Sequence, residues 1–286
     1  MLPSPMHRDY IDISSSDELV KLSKSLLERN VNIIAMDFEG EFNLHVYGEK
    51  LCLIQVYDGL NYYLVDPFPI ADDVLANFLT LKNMLYMFFA ADSDRSLVYK
   101  QYGVKMNAVY DLQHLVEILD LPGRGLDSVL LSELGVTVEN KKKFQRQNWI
   151  TRPISEEAKQ YAINDVAYLF KLHESLLRKI KDEDKVEQIL FKLAGTFKNF
   201  DKKPVPGIFK TPAFRKMSRA KKDKYTKIVE LREVCAKKLN VPANTVLTKQ
   251  NLVDVTENSE NIRRIRFHQK VPREMREGLI EDVLKL

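Results

Sequence analysis

Asp37 and Glu39 close the run "IIAMDFEGE", Ile33 to Glu41. Residues two apart on a β-strand project to one face, so the two carboxylates point together while Phe38 packs the other way. Side by side they repel, and one is driven to a higher pKa unless a cation neutralises the pair. A second pair, Tyr161 and Asp165 in "YAINDVAYLF", is four apart and shares one helical face. Between the two pairs, "FFAADSDRSLVY" offers Asp92 and Asp94 where a strand runs into a helix. Asp92 is placed to cap that helix, which leaves Asp94 in the first turn to point elsewhere. Taken singly, each signal is explained better by solvated acids at strand ends and on helix surfaces or by helix capping. Together they make an oxygen-only set, which suits Mg²⁺ or Mn²⁺ rather than zinc. Four carboxylates and a phenol can hold two such ions about 4 Å apart, the arrangement used for in-line attack on a phosphodiester.

The elements that must carry these groups alternate in the first half of the chain. "YIDI" (Tyr10 to Ile13) reads as a short strand. "SSSDELVKLSKSLLERN" follows as a helix with Ser and Asp capping candidates and Leu19, Leu22 and Leu26 on one face. "KLCLIQVYDG" and "LNYYLVDP" are β-rich runs joined at Asp-Gly, a hairpin signal. "VLANFLTLKN" reads as helix, "MLYMFFAA" as strand, and the helix from Asp92 is closed by Gly103. From "YDLQHLVEILDL" onward the pattern is helical, broken at "PGRG" and "RPIS". Strands early and helices late, with a hairpin inside, predict an α/β fold: a mixed sheet flanked by helices.

The 286 residues are comfortable for two domains, and 45% hydrophobic with 29% charged residues argues against wholesale disorder. A net charge of +4 says less than its distribution. No run approaches the ~20 apolar residues that span a bilayer, so no membrane is expected as a partner. The N-terminus lacks the apolar core of a secretion signal. Cys52 and Cys235 stand in no metal-binding spacing and read as buried small hydrophobes in a reducing compartment, with the cytoplasm as the expected location.

Asp-x-Glu on a strand, Asp at a strand–helix junction and Tyr-x-x-x-Asp on a later helix resemble the DEDDy group of 3′–5′ exonucleases, and more narrowly ribonuclease D. "LCLIQVYDG", "VYDLQ" and "NWITRPISEEAKQYAINDVAYL" are similar to segments of that family, over roughly residues 8–180. The resemblance implies a ribonuclease H-like sheet. It also implies Asp37, Glu39, Asp94 and Asp165 as ligands of two divalent cations, Mg²⁺ or Mn²⁺. Tyr161 would orient or help deprotonate the attacking water. Asp94 is preferred to Asp92 because the family places its acid three residues before an apolar helix residue, here Leu97. The family often has His near the end of the preceding strand, where this chain reads "MFFAA".

Beyond the acids, "KKKFQRQNWITR" just before the Tyr161 helix makes Lys143, Arg146 and Arg152 candidates for RNA phosphate contact. Trp149 in the same run is expected in the core. From Asp201 to Arg232, Lys and Arg number eleven against three Asp and Glu, and Lys221, Lys222 and Lys224 are the candidates there. "YTKIVELREVCAKKLNVPANTVLTKQNLVDV" resembles the HRDC domain, a helical module implied to help bind nucleic acid. The expected domains are 1–190 for the exonuclease, 191–215 for a linker and 216–286 for the HRDC-like module. The implied function is 3′–5′ exoribonuclease action releasing nucleoside 5′-monophosphates. Single-stranded 3′ ends of structured RNA such as tRNA precursors are the expected substrate, and a monomer the expected state. The alternatives are an exonuclease on DNA and a catalytically silent RNA-binding scaffold.

Overall fold

The computed structural model describes residues 7–137, 141–144, 146–195, 200 and 205–286. The chain divides into two units, residues 1–40 with 50–200, and residues 41–49 with 201–286. Parts of the stretch read as a linker, 196–199 and 201–204, lie outside the described residues. Among the described residues no helix is long and apolar enough to cross a membrane.

The first unit is built on six strands: β1 (Tyr10–Ile13), β2 (Ile33–Phe42), β3 (Glu49–Tyr57), β4 (Tyr62–Val65), β5 (Leu85–Phe88) and β6 (Val109–Asp111). They lie in the order β1-β4-β3-β2-β5-β6. β3 and β4 pair antiparallel, whereas β1–β4, β2–β5 and β5–β6 are parallel, so the sheet is mixed. The β3–β4 hairpin turns where the sequence signals it: the Asp58 carboxylate accepts from the N–H groups of Leu60 and Asn61 at 2.8 and 2.7 Å.

The helices are α1 (Ser16–Glu28), α2 (Asp72–Phe78), α3 (Asp92–Tyr102), α4 (Gln113–Ile118), α5 (Leu126–Leu134), α6 (Lys141–Phe144), α7 (Glu156–Ala167), α8 (Leu169–Asp182) and α9 (Val186–Ala194). Ser15 caps α1 by accepting from Glu18 N–H, and Leu19, Leu22 and Leu26 are buried. Each such leucine stabilises the fold by roughly 1.5–3 kcal/mol of transfer free energy. They join Ile34, Met36 and Phe38 of β2 and Leu97 and Val98 of α3 in one core on one side of the sheet. The opposite face of β2 and β5, Ala35 and Met87, is covered by α4, α5, α7 and α8. Trp149 is buried with Cys52, Leu53, Leu64 and the Ala158, Ala162 and Ile163 face of α7, as expected of a core tryptophan.

The second unit contains α10 (Pro212–Lys216), α11 (Arg219–Leu239), α12 (Ala243–Val246), α13 (Lys249–Glu257) and α14 (Arg273–Leu284). Tyr225, Ile228, Leu247, Leu252, Val255, Ile262 and Val271 form its own core. Asn240 ends α11 in the left-handed region (φ 50°), and Thr248 opens α13 with a capping box to Asn251. Tyr47, from the segment between β2 and β3, packs against this core, so that segment counts with the helical unit.

Candidate active site

β2 continues past its pairing with β5. Its register with β5 runs from Ile33↔Leu85 to Ala35↔Met87, and Asp37 and Glu39 lie beyond the last pair. Phe38 between them points into the opposite core, edge-on to Phe88 at 5.2 Å. The two carboxylates therefore share the face of Ala35, the face covered by α7. On α7, Ser155 accepts from Ala158 N–H as N-cap. The small residues Ala158 and Ala162, both fully buried, let the helix lie close over the sheet. Asp165 comes down beside the strand pair: ligand oxygens of Asp37, Glu39 and Asp165 lie within 4.8 Å of one another. All three residues are half-buried.

Asp94 is buried in the first turn of α3. It stands outside that 4.8 Å group, yet its charge acts on the same acids. Burial, then Asp165, Asp94 and Glu39, pushes Asp37 well above the usual carboxylate range. Burial, then Asp165 and Asp94, does the same to Glu39. Like charges held this close in a desolvated place call for a cation, and an all-oxygen donor set fits a hard divalent one. Asp92 is exposed and begins α3, but the N-cap is Ala91 and no side chain caps the helix, contrary to the capping expected of Asp92.

The Tyr161 phenol is pushed far above its ordinary value by burial first, then by Asp165, Glu39, Asp127 and Asp37. Its ring stacks on Phe144 at 4.8 Å. Asp127, in the first turn of α5, is a further acid in the field of Tyr161 that no sequence pattern singled out. Gln55 was also missed. It is fully buried on β3, next to β2, and among the described residues neither its Nε2 nor its Oε1 has a hydrogen-bond partner. No local pattern distinguishes such an amide from an exposed one.

The basic candidates separate. Lys143 and Arg146 are exposed, and Lys143 pairs with Glu157. Arg152 is not free for a phosphate, which corrects the expectation for it. Its Nε and Nη2 donate to the Asp66 carboxylate at 2.7 and 2.9 Å, and its Nη atoms to the carbonyls of Trp149 and Cys52, both at 2.6 Å. In the helical unit Lys221 pairs with Glu257, Lys222 sits 5.8 Å from the Phe214 ring, and Lys224 is half-buried.

The fold is thus a mixed sheet flanked by helices, with three acids brought together where β2 continues past its pairing with β5. The sequence profile of the 3′–5′ exonuclease family matches residues 10–181, and the chain belongs to that family. It is similar to exosome complex component 10 of Homo sapiens, 31% identical over 169 residues, which is 57% of this chain and 18% of that protein. It is also similar to ribonuclease D of Shewanella sp. (strain ANA-3), 32% identical over 144 residues, 49% of this chain and 36% of that protein. The chain thus spans well under half the length of these relatives. Its fold is that of the catalytic core of RRP6 from Trypanosoma brucei, with a TM-score of 0.73 at 16% identity over 100% of this chain and 84% of the other. Ribonuclease D from Escherichia coli aligns with a TM-score of 0.67 at 21% identity over 97% and 76%.

Proposed function

We propose that this chain is a divalent-metal-dependent 3′–5′ exoribonuclease that releases nucleoside 5′-monophosphates from RNA. The observation that carries this reading is the convergence of Asp37, Glu39 and Asp165 within 4.8 Å, with Asp94 acting on the same acids. In it, Asp37, Glu39, Asp94 and Asp165 hold two divalent cations, Mg²⁺ or Mn²⁺. When bound, such cations supply positive charge where the attacking and leaving oxygens of an in-line phosphodiester displacement gain negative charge. Tyr161, whose phenol stands in the field of the same acids, orients or helps deprotonate the attacking water. Phe144, buried and stacked on the ring, holds it in place.

The preference for RNA is supported by the ribonuclease relatives, and the basic excess after residue 200 supports a nucleic-acid substrate of either kind. In this reading residues 216–286 form an HRDC-like module that adds sequence-independent grip on the phosphate backbone. The substrates are single-stranded 3′ ends of structured RNA, tRNA precursors among them. The test is to offer RNA, and the same oligomer ending in a 2′-deoxynucleotide, and to identify the products by chromatography. Nucleoside 5′-monophosphates released faster from the ribose end support the proposal. Equal or faster release from the deoxy end would overturn the preference for a ribose 3′ end.

A further inference from the structure

Asp94 stands in the first turn of a helix whose entry is held from another strand. α3 starts without a side-chain cap, and the two residues before it, Ala90 and Ala91, carry no polar group that could supply one. Ala90 also has φ +65°, a left-handed conformation that costs an L-residue with a Cβ. The turn is held from another strand. At the end of β6 the Asp111 carboxylate, nine-tenths buried, accepts from Ala90 N–H through Oδ1 at 2.8 Å and from Ala91 N–H through Oδ2 at 2.9 Å. Oδ1 also accepts from Gln113 N–H at 2.9 Å, and Asp111 stands in register with Phe88, the last residue of β5. Both oxygens are thus used in bridging the start of α3 to the start of α4.

We propose that Asp111 is a positioning residue for the cation site: by clamping the N–H groups of Ala90 and Ala91 it fixes the first turn of α3 and so the reach of Asp94 toward Asp37 and Glu39. The inference rests on the exonuclease reading, and it explains how a strained alanine is tolerated at this junction. Asp111 lies in the family-like segment "VYDLQ", but its role could not be read there, because its partners are 20 and 21 residues away.

Three variants test it in the full chain: Asp111→Ala, Asp111→Asn, and Asp111→Ala combined with Ala90→Gly. Alanine removes the clamp. Asparagine keeps one acceptor oxygen and turns an NH₂ toward the second N–H. Glycine adopts φ +65° without steric cost, so the turn needs the clamp less. Mn²⁺ affinity is read by calorimetry, and kcat and KM on a short single-stranded RNA are read beside it. Val116→Ala, a buried change in α4, serves as a destabilised control, with melting temperatures measured for all variants.

Asp111→Ala is expected to weaken Mn²⁺ binding and lower kcat by about 10–100-fold, the usual effect of removing the partner that orients a ligand. KM should stay within about twofold, Asp111→Asn should fall between alanine and wild type, and Ala90→Gly should recover part of the loss. If Asp111→Ala fails to fold, Asp111→Asn carries the test alone. Wild-type Mn²⁺ affinity and kcat in a folded clamp variant, or losses no larger than those of Val116→Ala, would overturn the proposal. Inactivity of the wild-type chain would instead overturn the exonuclease reading.

Discussion

Asp37 carries a cost that its proposed role explains. Its carboxyl is pushed upward by burial and by Asp165, Asp94 and Glu39, so ionising it works against the folded, metal-free protein. For a raised carboxyl, stability is lost as pH climbs from the ordinary aspartate range through the raised folded value. Above that window, Asp37→Asn should raise the melting temperature of the metal-free protein by about 2–4 °C while abolishing turnover. Calorimetry in chelator beside an activity assay checks both halves; a lower melting temperature would mean the acid serves the fold. The same sign makes cation binding release protons, so affinity for Mn²⁺ should weaken as pH is lowered. Tyr161→Phe removes a hydroxyl and nothing from the stack on Phe144, so kcat should fall by about 10–100-fold with KM little changed. An unchanged kcat in single-turnover kinetics would remove Tyr161 from the chemistry. Asp37 with Glu39, and Tyr161 with Asp165, were legible because periods of two and four fix which side chains share a face.

At the scale of elements, α1, α3 and the β3–β4 hairpin were legible from capping residues, a closing Gly103 and an Asp-Gly turn, all local signals. What stayed hidden are contacts between distant elements: Asp111 clamping the start of α3, and Arg152 clasping Asp66 across 86 positions. "TRP" within a basic run looked like a phosphate contact because a lysine-rich neighbourhood says nothing of an acid on β4's far end. In the fold, burial works to raise the Asp66 carboxyl, but the Arg152 guanidinium and the Phe68 N–H win and hold it below its ordinary value. A depressed carboxyl gives stability that is present above the ordinary aspartate range and lost as pH falls through the folded value. Asp66→Asn should therefore cost about 1–2 kcal/mol at neutral pH, the lower end for a charged hydrogen bond because both side chains remain partly open to water. Denaturant titrations should show the gap to wild type closing in acid; a gap independent of pH would mean the pair contributes packing alone.

For the whole molecule, the chain divides into two compact units whose boundaries fall at residues 41–49 as well as after residue 200. Residues 41–49 count with the helical unit because Tyr47 packs into its core, an association that no linker-like composition signals. The basic stretch was legible as charge, while its pairing was not: Lys221 already has Glu257 and Lys222 the Phe214 ring. Replacing Lys221, Lys222 and Lys224 together with Glu should weaken RNA binding and flatten its log–log salt dependence. The change should be nearer one phosphate contact, about 0.7 in slope, than three. Identical slopes for the two proteins would take this stretch off the RNA. The most direct test of the central claim is a time course on a 5′-labelled RNA hairpin with a short single-stranded 3′ tail, in Mn²⁺, Mg²⁺ and EDTA, beside Asp37→Ala. A ladder shortening from the 3′ end, present with a divalent cation and absent in EDTA and in the variant, is the predicted result. RNA that is bound but left whole in both metals, or shortened equally by Asp37→Ala, would contradict it.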